Sequence, residues 1–312
     1  MRNSQADLRL DNLVDSSQRT PSKLSFWVMA SRPRTLTISA TPVMVGTALA
    51  WAAHGRVHWT AALAALAASA LIQIGTNIHN DAADFERGGD GPDRIGPARV
   101  TSSGLLPAGS VKRGAYICFA IAALIGTYLV SVGGWPILVL GLLSIVAGWG
   151  YTGGPFPIAY TPFGELFCVM FFGLGGVVGT YFLSTGQISF PAIVAGIALG
   201  SLVGAVLLVN NYRDVESDAR VGRQTLPIVV GPTLTIMIFA GLMLLPFALL
   251  PLIERPLTHG QVWPALIALP LALAMIYRFS QEPRGQAFNR ILVQTAQVEF
   301  AFSVLLTIGL CM

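Results

Sequence analysis

Charge is what this chain has least of. Asp, Glu, Lys and Arg together make up 11% of its 312 residues, while 54% are hydrophobic; a soluble globular protein carries roughly 25% charged residues. That deficit excludes the pair of soluble domains that the length alone would suggest. Cysteine is also scarce. Cys118, Cys168 and Cys311 stand far apart in apolar segments, at spacings that suit neither a zinc site nor a disulfide framework, and read as separate buried thiols. The net charge of +4 is not gathered into a basic run interleaved with aromatics, so nucleic acid is not an expected partner. Residues 1–25 are polar, carry Asp7, Asp11 and Asp15, and lack the apolar core and small-residue cleavage site of a secretory signal. They read as a flexible cytoplasmic tail, followed over 26–312 by one polytopic membrane domain.

What the chain has in abundance is apolar runs of about 20 residues, the length that crosses a hydrocarbon core of about 30 Å. They predict an all-α integral membrane protein with about nine transmembrane helices, near 35–53, 59–82, 112–132, 136–150, 162–184, 190–212, 228–252, 262–279 and 291–311. The fourth run is short. With the N-terminus inside, all 19 basic residues except Arg56 and Arg255 fall on one face, as the positive-inside rule requires of a cytoplasmic surface. Met312 is then on the opposite side. Gly175-xxx-Gly179 and Gly196-xxx-Gly200-xxx-Gly204 keep small residues on single helical faces, a signal for close helix packing.

The acids are the informative residues, because a carboxylate costs about 2.5–3.5 kcal/mol at the centre of an inserting helix. Here they cluster twice. The second helix ends Asn77-Ile-His-Asn80-Asp81-Ala-Ala-Asp84-Phe-Glu86-Arg87-Gly-Gly-Asp90, and the sixth ends Asn210-Asn211-Tyr-Arg213-Asp214-Val-Glu216-Ser-Asp218. Asn80 to Asp84, Asn210 to Asp214 and Asp214 to Asp218 are i,i+4 steps, which stack their oxygens on one helical face. The repetition suggests two pseudo-repeated helical units that each bring an acidic patch to a central cavity. Carboxylates so placed repel by about 4 kcal/mol per pair at 4 Å and an effective dielectric of 20. A cation must therefore lie between them, and an all-oxygen set of Asp and Asn suits Mg2+ bridging to substrate phosphates. Glu86, Asp93, Glu216 and Glu282 read as solvated acids, and His79 as structural. Arg94, Arg99 and Arg223 follow the clusters and Arg32 and Arg34 enter the first helix, each suited to diphosphate or to anchoring at the membrane surface.

These residues resemble the UbiA superfamily of intramembrane aromatic prenyltransferases. The likeness runs through Ser31-Arg-Pro-Arg-Thr-Leu36, Asn80-Asp-Ala-Ala-Asp84 with Gly88-Gly-Asp-Gly-Pro-Asp-Arg-Ile-Gly-Pro97, and Gly150-Tyr-Thr-Gly-Gly-Pro-Phe-Pro157. It continues through Asn210-Asn-Tyr-Arg-Asp-Val-Glu-Ser-Asp218, Gly222-Arg-Gln-Thr-Leu-Pro227 and Thr295-Ala-Gln297, and is nearest to the menaquinone branch. Two positions depart from the broader superfamily. Gly88 stands where the last Asp of the first motif usually lies, with Asp90 two residues on, which leaves the role of Asp90 open; Tyr151 is followed by Gly-Gly-Pro-Phe where other branches place a basic residue.

The resemblance implies Mg2+ held by the catalytic acids Asp81, Asp84, Asp214 and Asp218 with help from Asn80 and Asn210. It implies diphosphate bound by Arg94, Arg99 and Arg223, with Arg32, Arg34 and Tyr151 also lining the substrate site. The reaction implied is transfer of a prenyl group from a polyprenyl diphosphate to 1,4-dihydroxy-2-naphthoate with decarboxylation, in a bacterial cytoplasmic membrane. Tyr151, Phe156, Tyr160 or Phe172 could face the allylic cation. Other aromatic acceptors (4-hydroxybenzoate, homogentisate, a tetrapyrrole) and secondary transport are the alternatives.

Overall fold

In the computed structural model, which describes residues 22–90, 95–254 and 259–312, eight helices are long and apolar enough to cross a membrane. One of them, Ala108–Gly150, has 43 residues and would be about 65 Å long if straight, twice the hydrocarbon core. It is not straight. Gly134 takes φ 68° and ψ −157°, a region closed to residues with a Cβ, and Pro136 follows it. The two arms fold back on each other so that Gly148 lies against Phe119. The break turns eight long helices into nine spans, and Gly134 is why a continuous apolar stretch crosses twice.

A short helix α1 (Lys23–Ser31) precedes the first span and is capped by the Ser22 hydroxyl, which accepts from the Ser25 amide. The spans are α2 (Leu36–His54), α3 (Trp59–Glu86), the kinked α4 (Ala108–Gly150), α5 (Gly164–Thr185) and α6 (Phe190–Arg213). After the short α7 (Val215–Arg220) come α8 (Leu226–Glu254), α9 (Trp263–Gln281) and α10 (Phe288–Cys311). The expectation of a tail over 1–25 falls mainly outside the described residues, as does Arg255.

The centre is α6, of whose most apolar stretch 83% is buried against 11% for α4. Thus α6 is the axis of the bundle and α4 its lipid-facing flank. Leu199 and Leu202 of α6 pack with Phe239 and Met243 of α8 and with Phe302 and Leu306 of α10. Close approach on the other side of α6 depends on the glycine row. A Cβ on Gly200 would stand 2.6 Å from the Val169 Cα, and Gly196 abuts Gly173 and Leu174. The second glycine pair, Gly175 and Gly179, meets Leu140 of α4 instead, so the two rows do not face each other. Part of α5, Val169–Gly175, is wound as a π-helix, a form that recurs at functional sites.

Between α2, α3, α4 and α5 lies a cavity of about 420 Å³, apolar except for a few hydroxyls and Gln73, with Ile72, Ile145, Tyr151 and Phe172 in its wall. The cysteines are free; Cys168 is buried and Cys118 partly so, but Cys311, expected inside, is exposed at the end of α10.

Gly200→Ala should lower stability by about 1–3 kcal/mol, the usual cost of overpacking, because its new methyl meets backbone. Gly241→Ala, where a Cβ meets nothing within 4 Å, should stay within about 0.5 kcal/mol of wild type. Thermal unfolding in detergent compares the two.

Candidate active site

Helices α3 and α6 end on the same side of the bundle, and the two acidic motifs meet there through arginine. Arg223 donates to Asp84 of α3 through Nη2 and to Asp218 of α7 through Nη1, the latter at 3.0 Å. Arg99 reaches the other oxygen of Asp84 at 2.6 Å and Asp90 at 3.4 Å. The acids are nearly dry: the side chains of Asp84, Asp90 and Asp218 are 4%, 1% and 8% exposed. Removing one member of such a buried pair costs about 3–5 kcal/mol, because the other charge stays behind without compensation. The cation that the carboxylates demand is, in this structure, guanidinium.

Local backbone conformation places these groups. Gly88 closes α3 with φ +73°, and the Gly89 amide donates to the Asp84 carbonyl at 2.8 Å. That turn lets the chain carry Asp90 back beside Arg99. Gly88 therefore makes the turn that delivers the carboxylate of Asp90. At the entry to α2, Arg32 is the one non-glycine among the described residues with positive φ, at 52°, a conformation costing roughly 1–2 kcal/mol. It is held by Asn77, whose amide donates to the Ser31 carbonyl and the Thr35 hydroxyl, both at 3.0 Å. So constrained, Arg32 is fixed at the entry to α2 by a residue of α3.

Other expected ligands are differently engaged. The carboxylate of Asp81 does not face Asp84's arginines; its two oxygens accept the backbone amides of Val100 and Thr101 at 3.1 and 2.9 Å. It thereby pins the segment that carries Arg99. Asn80 accepts from the Thr152 hydroxyl at 2.5 Å, and its carbonyl accepts from Arg99 at 2.9 Å. Asp214 and Asn210 belong to a neighbouring cluster around Arg213, which donates to both and to Asn289 of α10, and whose side chain is 1% exposed. Asp214 still acts on Asp218. Burial pushes the Asp218 carboxyl up to about 6 against the pull of Arg223, and the charges of Asp214 and Asp84 add to the rise. Arg34 is exposed at the start of α2, and Arg94 lies outside the described residues.

The aromatic candidates separate cleanly. Phe156 is 89% exposed and is not part of the cavity wall. Tyr160 has Arg223 over its ring at 5.0 Å and Arg87 at 5.3 Å, so its π face is already taken by guanidinium. Tyr151 and Phe172 line the apolar cavity. Burial pushes the Tyr151 phenol well above its usual range, with the Cys168 thiol and the Glu165 carboxyl reinforcing the shift. Asp84 and Arg223 also act on it, so Tyr151 adjoins both the ionic cluster and the cavity. His79 is buried and tilted against Tyr116 and Trp149, in keeping with a structural role.

The residues around Asp84 fit a hard divalent cation by donor chemistry, since they offer carboxylate oxygens without thiolate or imidazole. Among the described residues no three carboxylates, imidazoles or thiols are already arranged as a cage; the arginines stand between them.

The fold and site thus define a multi-pass membrane protein whose paired acidic motifs and arginines meet beside an apolar cavity. Residues 39–295 match the UbiA prenyltransferase family model, and the chain belongs to that family. It is 33% identical over 282 residues to the 1,4-dihydroxy-2-naphthoate octaprenyltransferase of Bacillus subtilis, covering 90% of each chain. It is 37% identical over 249 residues to the enzyme of the same name from Mycobacterium tuberculosis, covering 79% of this chain and 83% of that one. Its fold is similar to a UbiA homolog from Archaeoglobus fulgidus solved with GPP and Mg2+, with a TM-score of 0.64 at 14% identity over 93% of this chain and 99% of that one.

Asp81→Ala should release the Arg99 segment. Each lost charge-assisted bond contributes about 1.5–3 kcal/mol, so hydrogen exchange at Val100 and Thr101 should accelerate by ten-fold or more. Asp214→Ala, which touches neither amide, should leave that exchange unchanged.

Proposed function

We propose that this chain transfers the prenyl group of a polyprenyl diphosphate to 1,4-dihydroxy-2-naphthoate, with loss of carbon dioxide, to give a demethylmenaquinol. The observation that carries the reading is the junction itself: Asp84, Asp218 and their arginines on one side of Tyr151 and an apolar cavity on the other. A diphosphate head suits the first and a hydrocarbon tail the second. The acceptor is chosen on the names of the curated relatives that share about a third of the sequence over most of its length.

In this reading Asp84 and Asp218, with Asp214 and the amides of Asn80 and Asn210, would hold Mg2+, while Asp81 braces the segment that carries Arg99. Bound there, Mg2+ would neutralise charge on the diphosphate and make it a better leaving group. Arg99 and Arg223, with Arg32, would turn permanently charged donors toward the phosphate oxygens, whose negative charge grows as the C–O bond breaks, and Arg94 is a further diphosphate ligand by its place in the motif. Asp90 holds Arg99 in place. The allylic cation forms beside Tyr151 and Phe172, whose ring faces can stabilise it by about 0.5–2 kcal/mol. The surrounding helices keep water from capturing it. The acceptor ring attacks the cation, forming the C–C bond. The motifs and nearly all basic residues face the cytoplasm of a bacterial inner membrane, with the N-terminus on that side and Met312 opposite. Transport is disfavoured because the acids lie at helix ends rather than on broken helices at the bilayer midplane.

Purified protein given polyprenyl diphosphate, 1,4-dihydroxy-2-naphthoate and Mg2+ should form a prenylated, decarboxylated naphthoquinol by mass spectrometry, and EDTA should abolish it. Asp84→Asn and Asp218→Asn should each cut turnover by about 100-fold or more while the protein still accumulates in the membrane. Wild-type turnover in either variant contradicts the site. Turnover of 4-hydroxybenzoate in place of the naphthoate would keep the site and replace the acceptor.

A further inference from the structure

Glu165 is an acid that the chemistry above leaves unused. It stands in the first turn of α5, 5% exposed, in a helix otherwise free of charge. A buried carboxylate at the edge of a membrane span is expensive and marks function more often than packing. One of its oxygens, Oε1, accepts from the Asn211 amide of α6 at 2.9 Å. The other, Oε2, is buried with no hydrogen-bond donor. Its surroundings are specific. The Tyr151 hydroxyl and the Asn211 amide nitrogen come within 3.6 and 4.0 Å of the same point, the position a Cβ would take on Gly164. Tyr151 in turn lines the apolar cavity and feels Asp84 and Arg223. A carboxylate oxygen without a donor thus lies close to Tyr151, the residue that adjoins both the ionic cluster and the hydrocarbon cavity.

A buried acceptor left without a donor costs about 1–3 kcal/mol, a penalty a ligand with a hydroxyl would remove. We propose that Glu165 is the acceptor-side base: Oε2 takes the hydrogen bond, and then the proton, of the ring hydroxyl next to the carbon that is prenylated. This rests on the aromatic acceptor proposed above. As the C–C bond to the allylic carbon forms at the ring carbon bearing the carboxylate, the hydroxyl proton passes to Glu165 and the ring becomes a β-keto carboxylate. The C–CO2 bond then breaks; its electron pair restores the aromatic ring as a naphtholate, which recovers the proton from Glu165. Pyrophosphate and carbon dioxide leave, and no net proton is consumed. Asn211 holds the carboxylate in place, and Tyr151 closes the pocket over the ring. A Cβ on Gly164 would crowd the Leu207 side chain at 3.1 Å, so the glycine keeps the start of α5 close to Tyr151 and Asn211.

The groups that face Glu165 are Tyr151 from the turn after α4, Cys168 from α5 itself and Asn211 from α6, with Asp84 and Arg223 beyond Tyr151. The test uses full-length Glu165→Gln and Glu165→Ala in detergent, with Mg2+-dependent binding of the polyprenyl diphosphate measured first. Both variants should bind donor as wild type does and lose about 100-fold or more in turnover of 1,4-dihydroxy-2-naphthoate at neutral pH, the typical scale of general base catalysis. Turnover should recover at alkaline pH, where the acceptor hydroxyl ionises unaided, and formate should partly restore Glu165→Ala. Wild-type turnover in Glu165→Gln overturns the proposal. So does a loss that neither alkaline pH nor formate relieves while donor binding persists, since that marks a structural carboxylate. A wild-type protein that binds donor but prenylates no hydroxylated aromatic ring overturns the acceptor reading, and this assignment with it.

Discussion

The two halves of the chain are joined at the site by one guanidinium. Arg223 spans Asp84, at the end of α3, and Asp218, in the helix that follows α6, two acids that would otherwise repel across a medium drier than water. Arg99 completes the neutralisation from the segment that Asp81 pins. Buried charge of this kind does not add stability over a well-packed apolar contact. Its retention here is understood through what the charges must do when a substrate of higher negative charge arrives: the acids are already gathered and the donors already aimed at the same few ångströms.

The rest of the architecture supports that meeting point. Glycines let α5 and α6 approach closely, which brings Glu165 and Asn211 within a hydrogen bond. Arg213 ties the end of α6 to α10 through Asn289, which itself donates to the Ile95 carbonyl at 3.1 Å. The strained backbone of Arg32 is held by Asn77 of α3, which donates to the Ser31 carbonyl and the Thr35 hydroxyl. Each of these polar contacts lies at one end of the bundle, and the apolar cavity begins where they stop. The boundary between them, marked by Tyr151, is where a bond between a charged head and a hydrocarbon chain would lie.

Much of this was legible in the sequence. Helix positions followed from the length of apolar runs, and the two acid clusters from their cost in a membrane, because both signals are large and local. Pair geometry was not. Asp81, three residues before Asp84, reads as a fellow metal ligand, yet the loop amides of Val100 and Thr101, which no periodicity encodes, claim its oxygens. The arginines read as diphosphate ligands or membrane-surface anchors, and the structure pairs Arg99 and Arg223 with carboxylates. Glu165 stands alone, without a repeated motif, so the one signal it carries in the sequence is that of a single acid at the edge of an apolar span. Cys311 is exposed for a related reason: in a membrane protein an apolar helix can face outward, so hydrophobicity does not report burial.

The central claim is that the acids bridged by Arg223 hold a divalent cation together with diphosphate. The direct test is electron paramagnetic resonance of Mn2+, used in place of Mg2+, with purified protein and a polyprenyl diphosphate. Tight Mn2+ binding that requires the diphosphate and disappears in Asp84→Asn and Asp218→Asn is the predicted result. Mn2+ bound equally well by those variants, or bound without any dependence on diphosphate, would contradict the account.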